Sequence, residues 1–135
     1  MNTAEIHYQG HLRTQATHVR SGTTIITDAP LDNHGRGEAF SPTDLLSASL
    51  LSCMITIMGI QAQQRNLEMG EVSGSVVKVM AEHPRRVAKI EVQVYFKGHQ
   101  LSADEQRQLE NAGRNCPVAK SIHPDIVQDI HFHFS

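Results

Sequence analysis

Two thiols, Cys53 and Cys116, are the side chains in this 135-residue chain best suited to covalent chemistry. A thiol reacts as its thiolate, so the surroundings decide whether it is functional. Cys116 stands directly before Pro117 in Asn115-Cys116-Pro117-Val118, where a helix can begin. Unpaired N–H groups and the positive end of the helix dipole gather at such a start, which predicts a lowered pKa for Cys116. Cys53 lies in the apolar run Leu50-Leu51-Ser52-Cys53-Met54-Ile55. Desolvation there opposes ionisation, so Cys53 is reactive only if a cation folds against it. By context the cations to consider are Arg13, Arg20, Arg36 and Arg114. A cysteine in an apolar helix also serves as a small core residue. The 62 residues between the two cysteines contain no C-x-x-C motif, so spacing alone does not pair them.

The elements that must carry these thiols are well punctuated. Ile6 and Tyr8 alternate with polar neighbours, and Thr23-Thr24-Ile25-Ile26-Thr27 is rich in β-branched residues, which predicts short strands either side of a Ser21-Gly22 turn. Pro30, Asn33, Gly35 and Gly37 make residues 28–40 a loop. A long helix is predicted from about Ser41 to Gln64, with Ser41 as N-cap, Pro42 in the first turn and Asp44 as a capping carboxylate. Its apolar residues continue almost all round, which predicts burial on most faces. Glu71 to Glu82 and Val87 to Phe96 form a hairpin through His83-Pro84-Arg85-Arg86. In its second strand Ile90, Val92, Val94 and Phe96 face one way, while Lys89, Glu91, Gln93 and Tyr95 face the other. Ser102-Ala103-Asp104-Glu105 is a capping box opening a helix that stops near Gly113. A short helix follows Cys116, and Ile130 to Phe134 alternates as a last strand. The order is that of an α+β fold in a single domain, residues 1–135.

Composition narrows the function. A net charge of −2 and a pI near 6.5 give no electrostatic case for nucleic acid or anionic membrane. The N-terminus lacks the basic start and apolar stretch of a secretory signal, and two cysteines suit a reducing cytoplasm. The uncharged stretch from Leu45 to Ile60 falls below the roughly 20 residues that span a bilayer, so it reads as a core helix. With only 4% aromatic residues and no Trp, the core relies on aliphatic side chains and Met, and a second subunit would help to complete it. His131 and His133 share a strand face, but two ligands do not make a metal site without a third from His7, His11, His99 or His123. No cofactor is expected.

Phe40-Ser41-Pro42-Thr43-Asp44-Leu45-Leu46 followed by Ser52-Cys53, with Asn115-Cys116-Pro117-Val118 later, resembles the OsmC/Ohr family of osmotically inducible and organic hydroperoxide resistance proteins. Tyr8-Gln9-Gly10 and Ser21-Gly22 fit its N-terminal strands, and the order of elements matches over the whole chain. The resemblance implies an intertwined homodimer with the cysteine-bearing helices central and two sites at the subunit interface. It implies that Cys53 attacks a hydroperoxide and that Cys116 resolves the sulfenic acid as a disulfide, which an external dithiol reduces. It further implies that an arginine from the N-terminal strands holds Cys53 as thiolate; Arg13 matches best in register and Arg20 second.

One departure stands out. In the organic-hydroperoxide branch a glutamate follows the helix-start proline and anchors that arginine, whereas this chain has Thr43 there. Asp44 points about 100° further round the helix, and Glu38 in the preceding loop is another substitute. The departure motivates an alternative to peroxidase activity: a non-catalytic OsmC-like protein that binds or senses an apolar small molecule between subunits, lined by Leu46, Leu50, Met54 and Met58.

Overall fold

A computed structural model describes all residues from Met1 to Ser135. The chain forms two compact units, Met1–Leu46 and Ser47–Ser135. In the first, β1 (Ala4–Gly10), β2 (Arg13–His18) and β3 (Thr24–Asp28) make an antiparallel meander in that order. Gly10, His11 and Leu12 all take positive φ in the tight β1–β2 connection, and Ser21-Gly22 turns β2 into β3 as its residues predict. A single 3₁₀ turn, Leu31–Asn33, lies in the segment expected to be loop throughout. That segment starts one residue later than expected, because Asp28 completes β3 opposite Arg13.

Helix α1 (Pro42–Gln64) begins in the first unit and contributes most of its length to the second. At its start the Asp44 carboxylate accepts from the Ser41 backbone N–H at 3.0 Å, and the Ser41 hydroxyl accepts from the Asp44 N–H at 3.0 Å. This reciprocal cap satisfies two groups that the first helical turn leaves open. Within the chain, burial follows one stripe, Ser47, Leu50, Leu51, Met54, Met58 and Ala62, rather than most of the circumference. Leu46 and Ile60 remain 36% and 46% exposed. By length and composition α1 is long and apolar enough to cross a membrane. Its Leu50–Ala62 stripe instead joins the hydrophobic core of the second unit, the arrangement of a core helix.

In the second unit, β4 (Glu71–Ala81) and β5 (Arg86–Lys97) form the expected hairpin, closed by the Arg86 guanidinium donating to the carbonyls of Glu82 and Pro84. The inward side of β5 is the predicted one: Ile90, Val92, Val94 and Phe96 are fully buried. Strand β6 (Val127–Phe134) pairs with β5 in parallel, so the sheet order is β4-β5-β6. A parallel neighbour requires a crossover, and α2 (Ala103–Arg114) with α3 (Pro117–Ser121) supplies it. The Ser102–Glu105 capping box forms with both bonds present. Phe96 stacks on Phe134 at 4.5 Å between ring centroids and on Phe132 at 6.5 Å, so three of the four phenylalanines gather in one cluster. Gly74 is required where β4 passes Leu51 of α1: a Cβ there would lie 2.5 Å from the Gln93 carbonyl and 2.9 Å from Leu51.

Candidate functional site

The two thiols belong to the second unit, and its fold brings them together. Cys53 sits half-buried on α1 against the edge of the core. Cys116 is fully buried at the N-cap of α3, where its extended backbone and the following proline launch the short helix. Its sulfur accepts a hydrogen bond from the Ala119 N–H at 3.4 Å, and Cys53 is near enough to act on its ionisation. Both cysteines are free.

The ionisation expected of Cys116 is corrected by this environment. Burial pushes its pKa above the usual thiol value, the Ala119 N–H pulls it down, and the neighbouring Cys53 pushes it up again. A helix start does favour a thiolate, but α3 has only five residues and Cys116 itself is fully buried. Desolvation therefore outweighs the helix amides. Cys116 is held as a protonated thiol.

The first unit carries the charged cluster. Asp28, the last residue of β3, is fully buried, and Arg13, the first of β2, grips it with both arms of the guanidinium: Nε donates to Oδ1 at 2.7 Å and Nη2 to Oδ2 at 2.8 Å. The backbone N–H of Glu38 adds a bond to Oδ2 at 3.1 Å, and the Glu38 carboxylate lies 3.8 Å from Arg13 Nη2. Arg13 holds the Asp28 carboxyl below the usual range, against the burial that opposes it, and Asp28 in turn raises Arg13. A bidentate, charge-assisted pair of this kind fixes the plane of the guanidinium as well as its charge.

The remaining sequence-derived candidates fall elsewhere. Asp44 caps α1, and the Thr43 hydroxyl sits 3.2 Å from that of Ser41 within the same cap. Arg20 is exposed in the turn after β2. Arg114 donates to the Ile130 carbonyl and lies 5.2 Å above the Phe132 ring. His131 and His133 point outward from β6, bonded to Asp129 at 2.9 Å and Gln93 at 2.5 Å. Leu50, Met54 and Met58, offered as the lining of an apolar site, are fully buried core residues instead.

Asp28 is the residue that sequence reasoning missed. The β2–β3 register sets Arg13 opposite Asp28, whereas counting outward from Ser21-Gly22 would set it opposite Pro30. The turn residues therefore give no signal for this pair, and the Pro- and Gly-rich residues that follow place Asp28 in the loop.

A family model for OsmC-like proteins matches residues 35–131. A Psychrobacter arcticus protein, named as an osmotic stress induced and detoxification response protein, shares 50% identity over 98% of this chain and 96% of its own, with a TM-score of 0.93. An organic hydroperoxide resistance protein OsmC from Legionella pneumophila shares the fold at 19% identity, covering 98% of this chain and 94% of its own, with a TM-score of 0.70. The organic hydroperoxide resistance protein OhrB of Bacillus subtilis does so at 19% identity, 97% and 98% coverage and a TM-score of 0.65. No curated protein sequence matches the chain. The model match covers well over half of the residues, and the Psychrobacter relative spans nearly all of them. The chain belongs to the OsmC-like protein family.

Proposed function

We propose that this protein is a thiol-dependent peroxidase that reduces organic hydroperoxides in defence against oxidative stress, with Cys53 and Cys116 as its redox pair. The observation that carries this reading is that the fold sets a half-buried Cys53 near enough to the buried Cys116 to act on its ionisation. The Cys53 thiolate attacks the terminal oxygen of the peroxide; the O–O bond breaks, the alkoxide takes a proton and leaves as an alcohol, and Cys53 becomes a sulfenic acid. Cys116 then attacks that sulfur. Its proton joins the departing hydroxide as water, and a Cys53–Cys116 disulfide forms. Because a thiol reacts as its thiolate, Cys116 sheds its proton as it attacks, and that proton completes the departing water. An external dithiol returns both cysteines to thiols and is itself oxidised to a disulfide.

Arg13 takes the role of the arginine that favours the Cys53 thiolate. Residues 1–135 act as one OsmC-like domain in the cytoplasm, and the functional unit is a homodimer. The apolar residues of α1 that this chain leaves open, Leu46 and Ile60 with half-buried Ile55 and Ile57, support a second subunit. The alternative of a non-catalytic apolar binder drew its motive from Thr43. Arg13 has a carboxylate partner in Asp28 although Thr43 cannot be one, which favours the peroxidase.

Removing the resolving thiol tests the cycle. Cys116→Ser is expected to consume a first equivalent of hydroperoxide and then stall, with Cys53 advancing to sulfinic acid under excess peroxide. Mass spectrometry of the Cys53 peptide would show a gain of two oxygens; sustained turnover with a dithiol and no overoxidation would contradict the pairing.

A further inference from the structure

We infer that Asp28 is the positioning residue for Arg13, so that in this chain the carboxylate behind the activating arginine comes from the end of β3 rather than from the start of the long helix. The inference rests on the peroxidase reading for what Arg13 does, but the geometry stands by itself. An arginine at the head of β2 has many rotamers and little reason to hold one of them on an open sheet. Here the guanidinium is pinned by two parallel bonds of 2.7 and 2.8 Å to a carboxylate with no exposed surface.

Asp28 is held in its turn. Its own N–H donates to the Phe40 carbonyl at 3.1 Å, and its Oδ2 accepts from the Glu38 N–H. One side chain therefore ties β2, β3 and the far end of the 28–40 segment together. Glu38 does not replace it: its carboxylate is 65% exposed and stands 3.8 Å from Arg13, so water screens that pair. Arg36 is the other charge acting on Asp28. Asp44 already serves the helix cap, and Thr43 carries no charge. The register of β2 against β3 thus does the work that one helical position does in the organic-hydroperoxide branch.

The test uses the reactivity of Cys53 itself, so that it does not depend on turnover. In full-length protein carrying Cys116→Ser, the rate of Cys53 alkylation by iodoacetamide is followed against pH. Adding Asp28→Asn is expected to raise the midpoint by about one pH unit or more and to slow alkylation at neutral pH about tenfold, as does Arg13→Ala. Asp28→Glu, which keeps the charge, recovers most of the shift; a purely structural role would not follow the charge. Circular dichroism checks that each variant is folded, and a variant that fails to fold is replaced by Glu38→Gln combined with low-salt and high-salt profiles, where an unchanged midpoint is expected. An Arg13→Ala shift with no Asp28→Asn shift overturns the inference and leaves the reading of Arg13 intact. No shift with either substitution overturns both. Absence of hydroperoxide consumption by the unmodified protein contradicts the peroxidase alone, because the alkylation profiles still decide the role of Asp28.

Discussion

Cys53→Ser is expected to abolish hydroperoxide consumption, lowering the rate with cumene hydroperoxide and a dithiol by at least about a thousandfold, in line with loss of a nucleophile. Nothing else in the second unit can take its place. Cys116 is the one other thiol, and its burial alone disfavours the thiolate once Cys53 is gone. Serine is close to isosteric, and the site is only half-buried, so the melting temperature should hardly move. The two readouts together separate chemistry from folding. Turnover at the unmodified rate by a folded Cys53→Ser protein would remove Cys53 from the mechanism.

The largest effect on stability is expected from Phe96→Ala, at about 3–5 kcal/mol. Phe96 is fully buried in the central strand of its sheet and stacks on both Phe132 and Phe134. Truncation leaves a cavity beneath β5 and removes two ring contacts, each worth about 0.5–1.5 kcal/mol beyond the area buried. Domains of this size are stable by only about 5–15 kcal/mol. The loss should therefore lower the thermal midpoint by about 10 °C or more, measured by calorimetry or circular dichroism. A change below about 1 kcal/mol in a urea titration would mean that the cavity collapses without cost, against the packing described here.

The contrast between these residues explains how much of the fold could be read in advance. The inward side of β5 was legible because alternation along a strand is local and one face is dry. Ser102 was legible because a capping box is completed within four residues. The reciprocal cap of Ser41 and Asp44 was legible for the same reason. Parallel pairing of β5 with β6 was not, since β6 arrives only after α2 and α3, and alternation does not encode direction. The chemistry of the site divides in the same way. Cys116 at a helix start was visible, yet the sign of its shift depends on burial, which is a tertiary property. Asp28 was hidden for a related reason: a carboxylate survives burial only beside a partner, and that partner lies across the strand pair, 15 residues away in sequence. The apolar α1 misled in one respect. Composition predicts burial on most faces, whereas within one chain the buried side chains form a single stripe.

The most direct test of the central claim is the intact mass and free-thiol count of the reduced protein after one equivalent of cumene hydroperoxide. The account predicts a loss of two hydrogens, no remaining free thiols, and a Cys53–Cys116 linkage within a single chain by peptide mapping. Two unreacted thiols after several minutes, or a linkage that joins other partners, would contradict it.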